Sequence, residues 1–133
     1  RSHTHERGMM KILTKRIVTA LRKRGYGNEY EHGDKVLFKL FNPVGRGIWY
    51  VMEGEEIIDD DGRADWRLFG LCGITFWEWG SVSLNELLDA RLPFGLSIER
   101  DQYYAGTYGD LEEIKGWSPS QPLEKATSWE ITA

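Results

Sequence analysis

Length, composition and charge already limit what this chain can be. Its 133 residues suffice for one compact domain, and 41% hydrophobic with 29% charged residues argues against wholesale disorder. No apolar run approaches the roughly twenty residues of a membrane-spanning helix, and no secretory signal follows the basic start. The single cysteine, Cys72, excludes an intramolecular disulfide and a cysteine-built zinc site. We therefore expect a cytoplasmic protein.

The charge is unevenly distributed. Residues 1–24 hold eight bases and one acid and so carry a charge of +7. The remaining residues carry −11, which gives the chain its net charge of −4. Such asymmetry is typical of a basic arm for nucleic acid or of a helix with a solvated basic face. We favour the solvated helix, because an acidic body repels phosphate at longer range. Residues 1–8 are expected to be a tag or a disordered terminus.

A first helix is predicted over residues 14–24. Thr14 is a good N-cap, and Gly25 is a typical helix stop. Apolar residues recur at helical spacing and form one stripe, consisting of Leu13, Ile17, Val18 and Leu21.

Four strands follow, each bounded by turn-forming residues. We predict them over residues 35–41, 48–58, 66–74 and 76–82. Short connections between consecutive strands are typical of an antiparallel meander, with the helices packed on one face.

The last third of the chain predicts a second helix and weaker elements. Ser83-Leu84-Asn85-Glu86 matches a capping box and opens a helix to about Arg91. Residues 96–104 suggest a fifth strand, and residues 111–114 one helical turn. The fold class is thus α+β, with one antiparallel sheet of four to five strands in a single domain over residues 9–117. Residues 118–133 are expected to be an extended or mobile tail.

An acidic turn, residues 59–65, is the one candidate for a cation site. Asp59, Asp61 and Asp65 have part of the spacing of a calcium loop, but position 70 is glycine where a glutamate is required. A hairpin turn in which Asp-Gly supplies positive φ angles is the better interpretation. We predict no metal and no cofactor, and keep Asp59, Asp60 and Asp61 as candidate binding residues.

Catalytic residue types are sparse. His32 has no local nucleophile motif around it, and Cys72 lies in an apolar strand, where burial makes a thiol a poor nucleophile. A carboxylate-dependent hydrolase remains an alternative, but spacing singles out no pair among the candidate carboxylates, which are Glu53, Glu78, Glu99 and Asp101.

Six tryptophans require an explanation. Trp77 and Trp79 share a parity on the fourth strand and point the same way. Aromatic residues in strands are most often core, whereas an exposed pair forms a stacking platform or a protein anchor. The nucleic-acid alternative combines such a platform with the basic helix residues Lys15, Arg16, Arg22, Lys23 and Arg24.

Short motifs along the chain resemble an uncharacterised bacterial domain family carried on plasmids, phages and conjugative elements. They are Leu13-Thr14-Lys15, Lys39-Leu40-Phe41 with Pro43, Trp49-Tyr50 with Glu53, residues 68–71, residues 80–84 with Glu86-Leu87, and residues 93–101. The resemblance covers about residues 10–104, and its most specific part is the last motif, which ends in Ile-Glu-Arg-Asp. It implies a mobile-element origin and a compact α+β fold, and it supplies no catalytic residue.

The leading functional hypothesis is a non-catalytic accessory protein that binds a macromolecular partner, most simply a protein. Alternation along the last strand puts Ile98 and Arg100 on one face and Glu99 and Asp101 on the other. We expect Arg100 to form a fold-organising ion pair with Glu53 or Glu78. Glu99 and Asp101 are expected to be surface contacts, as are Trp77 and Trp79.

Overall fold

The computed structural model describes residues 2–116 and forms an α+β fold with one five-stranded sheet. Its helices are α1 Ser2–Ile12, α2 Lys15–Arg24, α3 Leu84–Asp89 and α4 Tyr108–Ile114, with a 3-10 turn at Pro93–Gly95. Its strands are β1 Phe38–Phe41, β2 Ile48–Ile58, β3 Ala64–Gly73, β4 Trp77–Ser83 and β5 Glu99–Arg100. The predicted fold class is confirmed.

The sheet has the order β4-β3-β2-β1-β5, and every neighbouring pair is antiparallel. The first four strands form the expected meander. A bulge between Val51 and Glu53 shifts the register, so that Met52 is the extra residue of β2 opposite β3. Gly70 permits the close approach of the two strands, since a Cβ built there would lie 1.8 Å from the carbonyl oxygen of Tyr50.

Side-chain caps fix the helix boundaries that the sequence predicts. The Thr14 hydroxyl accepts a hydrogen bond from the backbone N–H of Ile17 and starts α2. Gly25, at φ 76°, ends that helix and donates its N–H to the carbonyl of Leu21. The Ser83 hydroxyl starts α3 in the same way, by accepting from the N–H of Glu86.

Both faces of the sheet are covered, so the expectation of helices on one face is wrong. One core contains Leu21 of α2 and Leu84 of α3, packed with Trp49 and Val51 of β2. The other contains Leu111 and Ile114 of α4, packed with strand residues of opposite parity, Tyr50, Met52 and Leu71.

The helix that covers the second face is longer than the single predicted turn. Thr107 and Asp110 form a reciprocal capping box that begins α4 at Tyr108. Two buried residues three positions apart, Leu111 and Ile114, then anchor the helix.

The N-terminal residues form a helix. Residues 1–8 are expected to be a tag or a disordered terminus; in the structure α1 begins at Ser2, and its C-terminal Ile12 is buried in the first core. Gly8 lies against α3, where a Cβ would meet the Leu88 side chain at 3.5 Å. No helix among residues 2–116 has the length and apolarity needed to cross a membrane. The predicted tail, residues 118–133, lies outside the described residues.

Candidate partner-binding surface and cleft

The most unusual residue of the described chain is Phe94, between α3 and β5. Its side chain is 91% exposed, and its backbone is left-handed, with φ 63° and ψ 22°. Among residues 2–116 it is the one non-glycine residue with positive φ. A left-handed conformation costs a non-glycine residue about 1–2 kcal/mol. Strain at an exposed aromatic residue is the kind of outlier from which a functional hypothesis can be drawn.

A cleft opens beside this loop, between α1, the end of α3 and β5. Its volume is about 540 Å³. Polar and charged side chains outnumber apolar ones in its lining, which contains Lys11, Ser97, Glu99, Arg100 and Gln102 beside Ile12, Leu88, Leu96 and Ile98.

Arg100 lines this cleft and does not form the predicted ion pair. It is half-buried, and its Nε has no hydrogen-bond partner among the described residues. The expectation of a bond to Glu53 or Glu78 is wrong because Arg100 pairs in register with Leu40, whose side chain belongs to the first core. The predicted alternation is correct, since Ile98 also belongs to that core.

Asp101 is buried, so its predicted role as a surface contact is wrong. It is 7% exposed, and its carboxylate lies 3.8 Å from the ammonium of Lys39, itself 4% exposed. The Lys39 ammonium also lies 5.5 Å and 5.8 Å from the ring centroids of Tyr50 and Tyr104. Burial, with the nearby carboxylates of Asp110 and Asp101, raises the pKa of Tyr104. Glu99, by contrast, is exposed at the cleft.

Glu53 organises the loop that follows α2. Its carboxylate accepts hydrogen bonds from the Tyr30 hydroxyl, from the Gly27 N–H at 2.6 Å, and from the N–H and side-chain amide of Asn28. Burial alone would raise the pKa of Glu53, but these hydrogen bonds outweigh it and hold the pKa below its ordinary value. Glu53 therefore has a structural role.

The acidic turn is held together by its own hydrogen bonds. Asp59 accepts from the N–H groups of Asp61 and Arg63, from the Arg63 side chain and from the Asn85 amide. Burial opposes ionisation of Asp59, yet these bonds lower its pKa to about 2. Asp65 is buried and accepts from Ser83 and from the Asn85 N–H. The contacts within residues 59–63 are those of a hairpin turn, whereas those of Ser83 and Asn85 join it to the start of α3. Asp60 and Asp61 are exposed at its tip.

Trp77 and Trp79 are half-buried on the second face of the sheet. The Trp77 ring lies 5.7 Å from that of Tyr50, and the Trp79 ring stacks on those of Phe69 and Tyr108. Their shared parity is as predicted, and they pack against the second core.

The basic residues of α2 divide into three groups. Arg24 is structural, because its guanidinium donates to the carbonyls of Lys35 and Met52. Arg22 forms a two-bond ion pair with Glu56 on the surface. The remaining candidates, Lys15, Arg16 and Lys23, are exposed.

Potential catalytic groups do not converge. Burial, helped by the charge of Glu78, raises the pKa of Cys72 to about 11. Glu78 and Glu99 lie on the two edge strands, with three strands between them, so roughly 19 Å separates them. Within residues 2–116 no group of three His, Cys, Asp or Glu side chains is arranged to hold a metal.

Two features were not predicted from the sequence, the burial of Lys39 and the exposed turn at Phe94. The buried Lys39 breaks the rule that lysine lies at the surface, and no local signal reveals its contacts. Phe94 had a signal: it stands between Pro93 and Gly95, where a tight turn and an exposed side chain are to be expected.

Comparison with known proteins places this chain in a family. A family model described as "Protein of unknown function (DUF2958)" matches residues 12–112. No curated protein and no solved structure matches the chain. The matched residues include α2, α3, all five strands, Phe94 and Arg100. The chain therefore belongs to the DUF2958 family of proteins of unknown function.

Proposed function

We propose that this protein is a non-catalytic accessory protein of a plasmid or phage that acts in the cytoplasm and binds a protein partner through Phe94. The mobile-element origin rests on the resemblance of residues 93–101 and the shorter motifs. The partner-binding role rests on one observation, the exposed and strained aromatic side chain at position 94.

Phe94 carries two unfavourable terms in the isolated protein. The left-handed backbone costs about 1–2 kcal/mol, and the exposed ring forgoes the roughly 1.5–3 kcal/mol that burial of a phenylalanine contributes. A partner with an apolar pocket recovers the second term. Because the turn fixes the backbone, ordering of the backbone adds little to the entropy cost of binding. Aromatic anchors of this kind contribute most of the energy at many protein interfaces.

A second exposed apolar group, Ile74 and Phe76, lies at the same end of the sheet as the Phe94 loop. A row of paired residues crosses the sheet there, running from Glu99 through Phe41, Ile48 and Gly73 to Trp77. The Phe94 loop leads into this row at Glu99. The β3–β4 hairpin extends from it at Gly73 and exposes Ile74 and Phe76, which are 53% and 74% exposed. A partner of ordinary interface size can reach both ends of this row.

A protein partner is favoured over single-stranded nucleic acid by the arrangement of the aromatics and the bases. The nucleic-acid hypothesis needs Trp77 and Trp79 on the same surface as the basic residues of α2. Those tryptophans pack on the second face, whereas α2 packs on the first through Leu21. The two groups therefore cannot line one strand of nucleic acid together.

Site-specific photocrosslinking tests the proposal. A benzophenone-bearing phenylalanine analogue is introduced at position 94 and, as a matched control, at Ile58, which is 69% exposed at the opposite end of the sheet. Both proteins are irradiated in bacterial cells. We expect a discrete protein adduct from position 94 and none of the same mass from position 58.

Capture experiments with variants complete the test. Recovery of the crosslinked protein should be lost with Phe94→Asn, since asparagine keeps the left-handed backbone but removes the ring. It should be kept with Ile58→Ser. The proposal is wrong if position 94 gives no adduct, if Phe94→Asn captures the same protein as the wild type, or if nuclease treatment removes the adduct.

A further inference from the structure

The loop that presents Phe94 is accompanied by three exposed bases. Lys11 lines the cleft together with the two residues that follow Phe94. Arg91 precedes Phe94 by three residues, and Arg46 lies in the turn between β1 and β2. All three side chains are exposed, and within residues 2–116 none of them forms an ion pair. We call Lys11, Arg46 and Arg91 the basic rim.

Separate elements bring the basic rim to this loop. Lys11 belongs to α1, and it reaches the loop across the cleft. Arg46 lies in the turn whose flanking strands contribute to the row of paired residues that starts at Glu99, where the Phe94 loop enters the sheet. Arg91 is at most about 11 Å from Phe94 along the chain, since one residue spans no more than about 3.6 Å.

The charge around Phe94 has the opposite sign to that of the whole chain. The basic rim and Arg100 carry four positive charges, and Glu78 and Glu99 carry two negative charges, which leaves +2. The chain as a whole carries −4. Because exposed charges farther away than a Debye length of roughly 8–10 Å are largely screened, a partner at Phe94 meets mainly the local positive charge.

We propose that the partner surface that receives Phe94 is an acidic protein surface, with carboxylates arranged around an apolar pocket. This inference rests on the proposed function and names the chemistry of the partner. Protein interfaces combine an apolar centre with a polar rim. Complementary charges at the rim raise the rate of association and exclude partners of the wrong sign.

A protein is favoured over nucleic acid as the source of the negative charge. The exposed ring of Phe94 gains most from an apolar pocket, and a phosphate backbone offers none. The three bases of the basic rim are also fewer than the roughly six to ten phosphate contacts of a tightly bound protein.

Charge reversal in the basic rim tests the proposal, with the protein that crosslinks to position 94 as the probe. That protein is identified from its adduct by mass spectrometry and purified, and its binding to the full chain is measured at about 50 mM salt. Arg46→Glu and Arg91→Glu should each weaken the binding about threefold and together about tenfold, because exposed charges contribute little singly and add when they lie apart. About 0.5 M salt should bring the wild type to within about twofold of the double variant. The partner region joined to position 94 should contain an excess of Asp and Glu.

Lys23→Glu is the matched control, since it makes the same change in net charge. Lys23 is exposed and adjoins Arg24, which donates to the carbonyl of Lys35 before β1, at the end of that strand remote from Arg46. This variant should bind within about twofold of the wild type, because the distance screens its charge. If a glutamate variant does not fold, the neutral pair Arg46→Gln and Arg91→Gln decides the question and should weaken the binding about threefold.

The outcomes separate this inference from the proposed function. The inference alone is wrong if Phe94→Asn loses the binding while the double reversal binds as the wild type does. It is also wrong if Lys23→Glu weakens the binding as much as the double reversal, or if the crosslinked region of the partner is basic. If position 94 gives no adduct, or an adduct with nucleic acid, both the inference and the proposed function are wrong.

Discussion

Replacement of Glu53 by glutamine tests whether this buried carboxylate holds the loop after α2. Glu53 is 2% exposed, and four donors from three residues surround its two oxygens. Glutamine has nearly the same shape but offers one oxygen and one amide nitrogen. Its oxygen can take the Oε1 position and keep the contacts with Tyr30 and Asn28. Its nitrogen then faces the N–H of Gly27, 2.6 Å from the position of Oε2.

The cost of this substitution follows from the hydrogen bonds that are lost. One charge-assisted hydrogen bond is worth about 1.5–3 kcal/mol, and a donor left without an acceptor adds about 1–3 kcal/mol. We expect the substitution to lower the free energy of unfolding by about 3 kcal/mol in total. The entropy of unfolding is about 2.1 cal/mol/K per residue, or roughly 280 cal/mol/K for 133 residues. The melting temperature should therefore fall by about 10 °C.

Thermal unfolding followed by circular dichroism measures this change, and Glu55→Gln is the matched control. Glu55 lies on the same strand, and its ion pair with Arg67 is exposed, so its loss should cost less than about 1 kcal/mol. A fall of only about 2 °C for Glu53→Gln, equal to that of the control, would refute the reasoning.

The difference in stability between the wild type and Glu53→Gln should depend on pH. The pKa of Glu53 is lowered in the folded state, so its ionised form contributes stability above the unfolded pKa of about 4.3. That contribution is lost as the pH falls through the folded pKa. The difference in melting temperature between the wild type and Glu53→Gln should therefore narrow in acid below pH of about 4.

Three further predictions concern single positions. Gly70→Ala should destabilise the fold by more than about 3 kcal/mol in denaturant unfolding, since its Cβ would overlap the Tyr50 carbonyl; wild-type stability contradicts this. Cys72 should resist alkylation by iodoacetamide at neutral pH and react after denaturation, because its pKa is raised to about 11; rapid labelling of the native protein, measured by mass spectrometry, contradicts this. Phe94→Gly should melt no lower than the wild type, since glycine adopts positive φ without strain, and a lower melting temperature would show that the ring stabilises the isolated fold.

Local signals predicted the elements whose boundaries are set by neighbouring residues. Thr14 and Gly25 enclose α2, Ser83 opens α3, and the range of β2 is the one predicted. In each case a cap, a turn or an alternation acts within a few residues of the boundary. The same alternation correctly separated Ile98 and Arg100 from Glu99 and Asp101, but it left open which charges are buried and what they contact.

Local sequence patterns were enough to predict the meander, its two capped helices and the parity of the side chains along each strand, since these depend on contacts between near neighbours. The candidate site depends instead on contacts between segments that are distant in the chain. Glu53 is not the partner of Arg100, since its carboxylate accepts hydrogen bonds from the loop of Gly27 and Asn28. The cleft exists because α1 and α3, far apart in the chain, meet beside β5. Such contacts depend on which elements cover each face of the sheet, and no spacing within one segment records that.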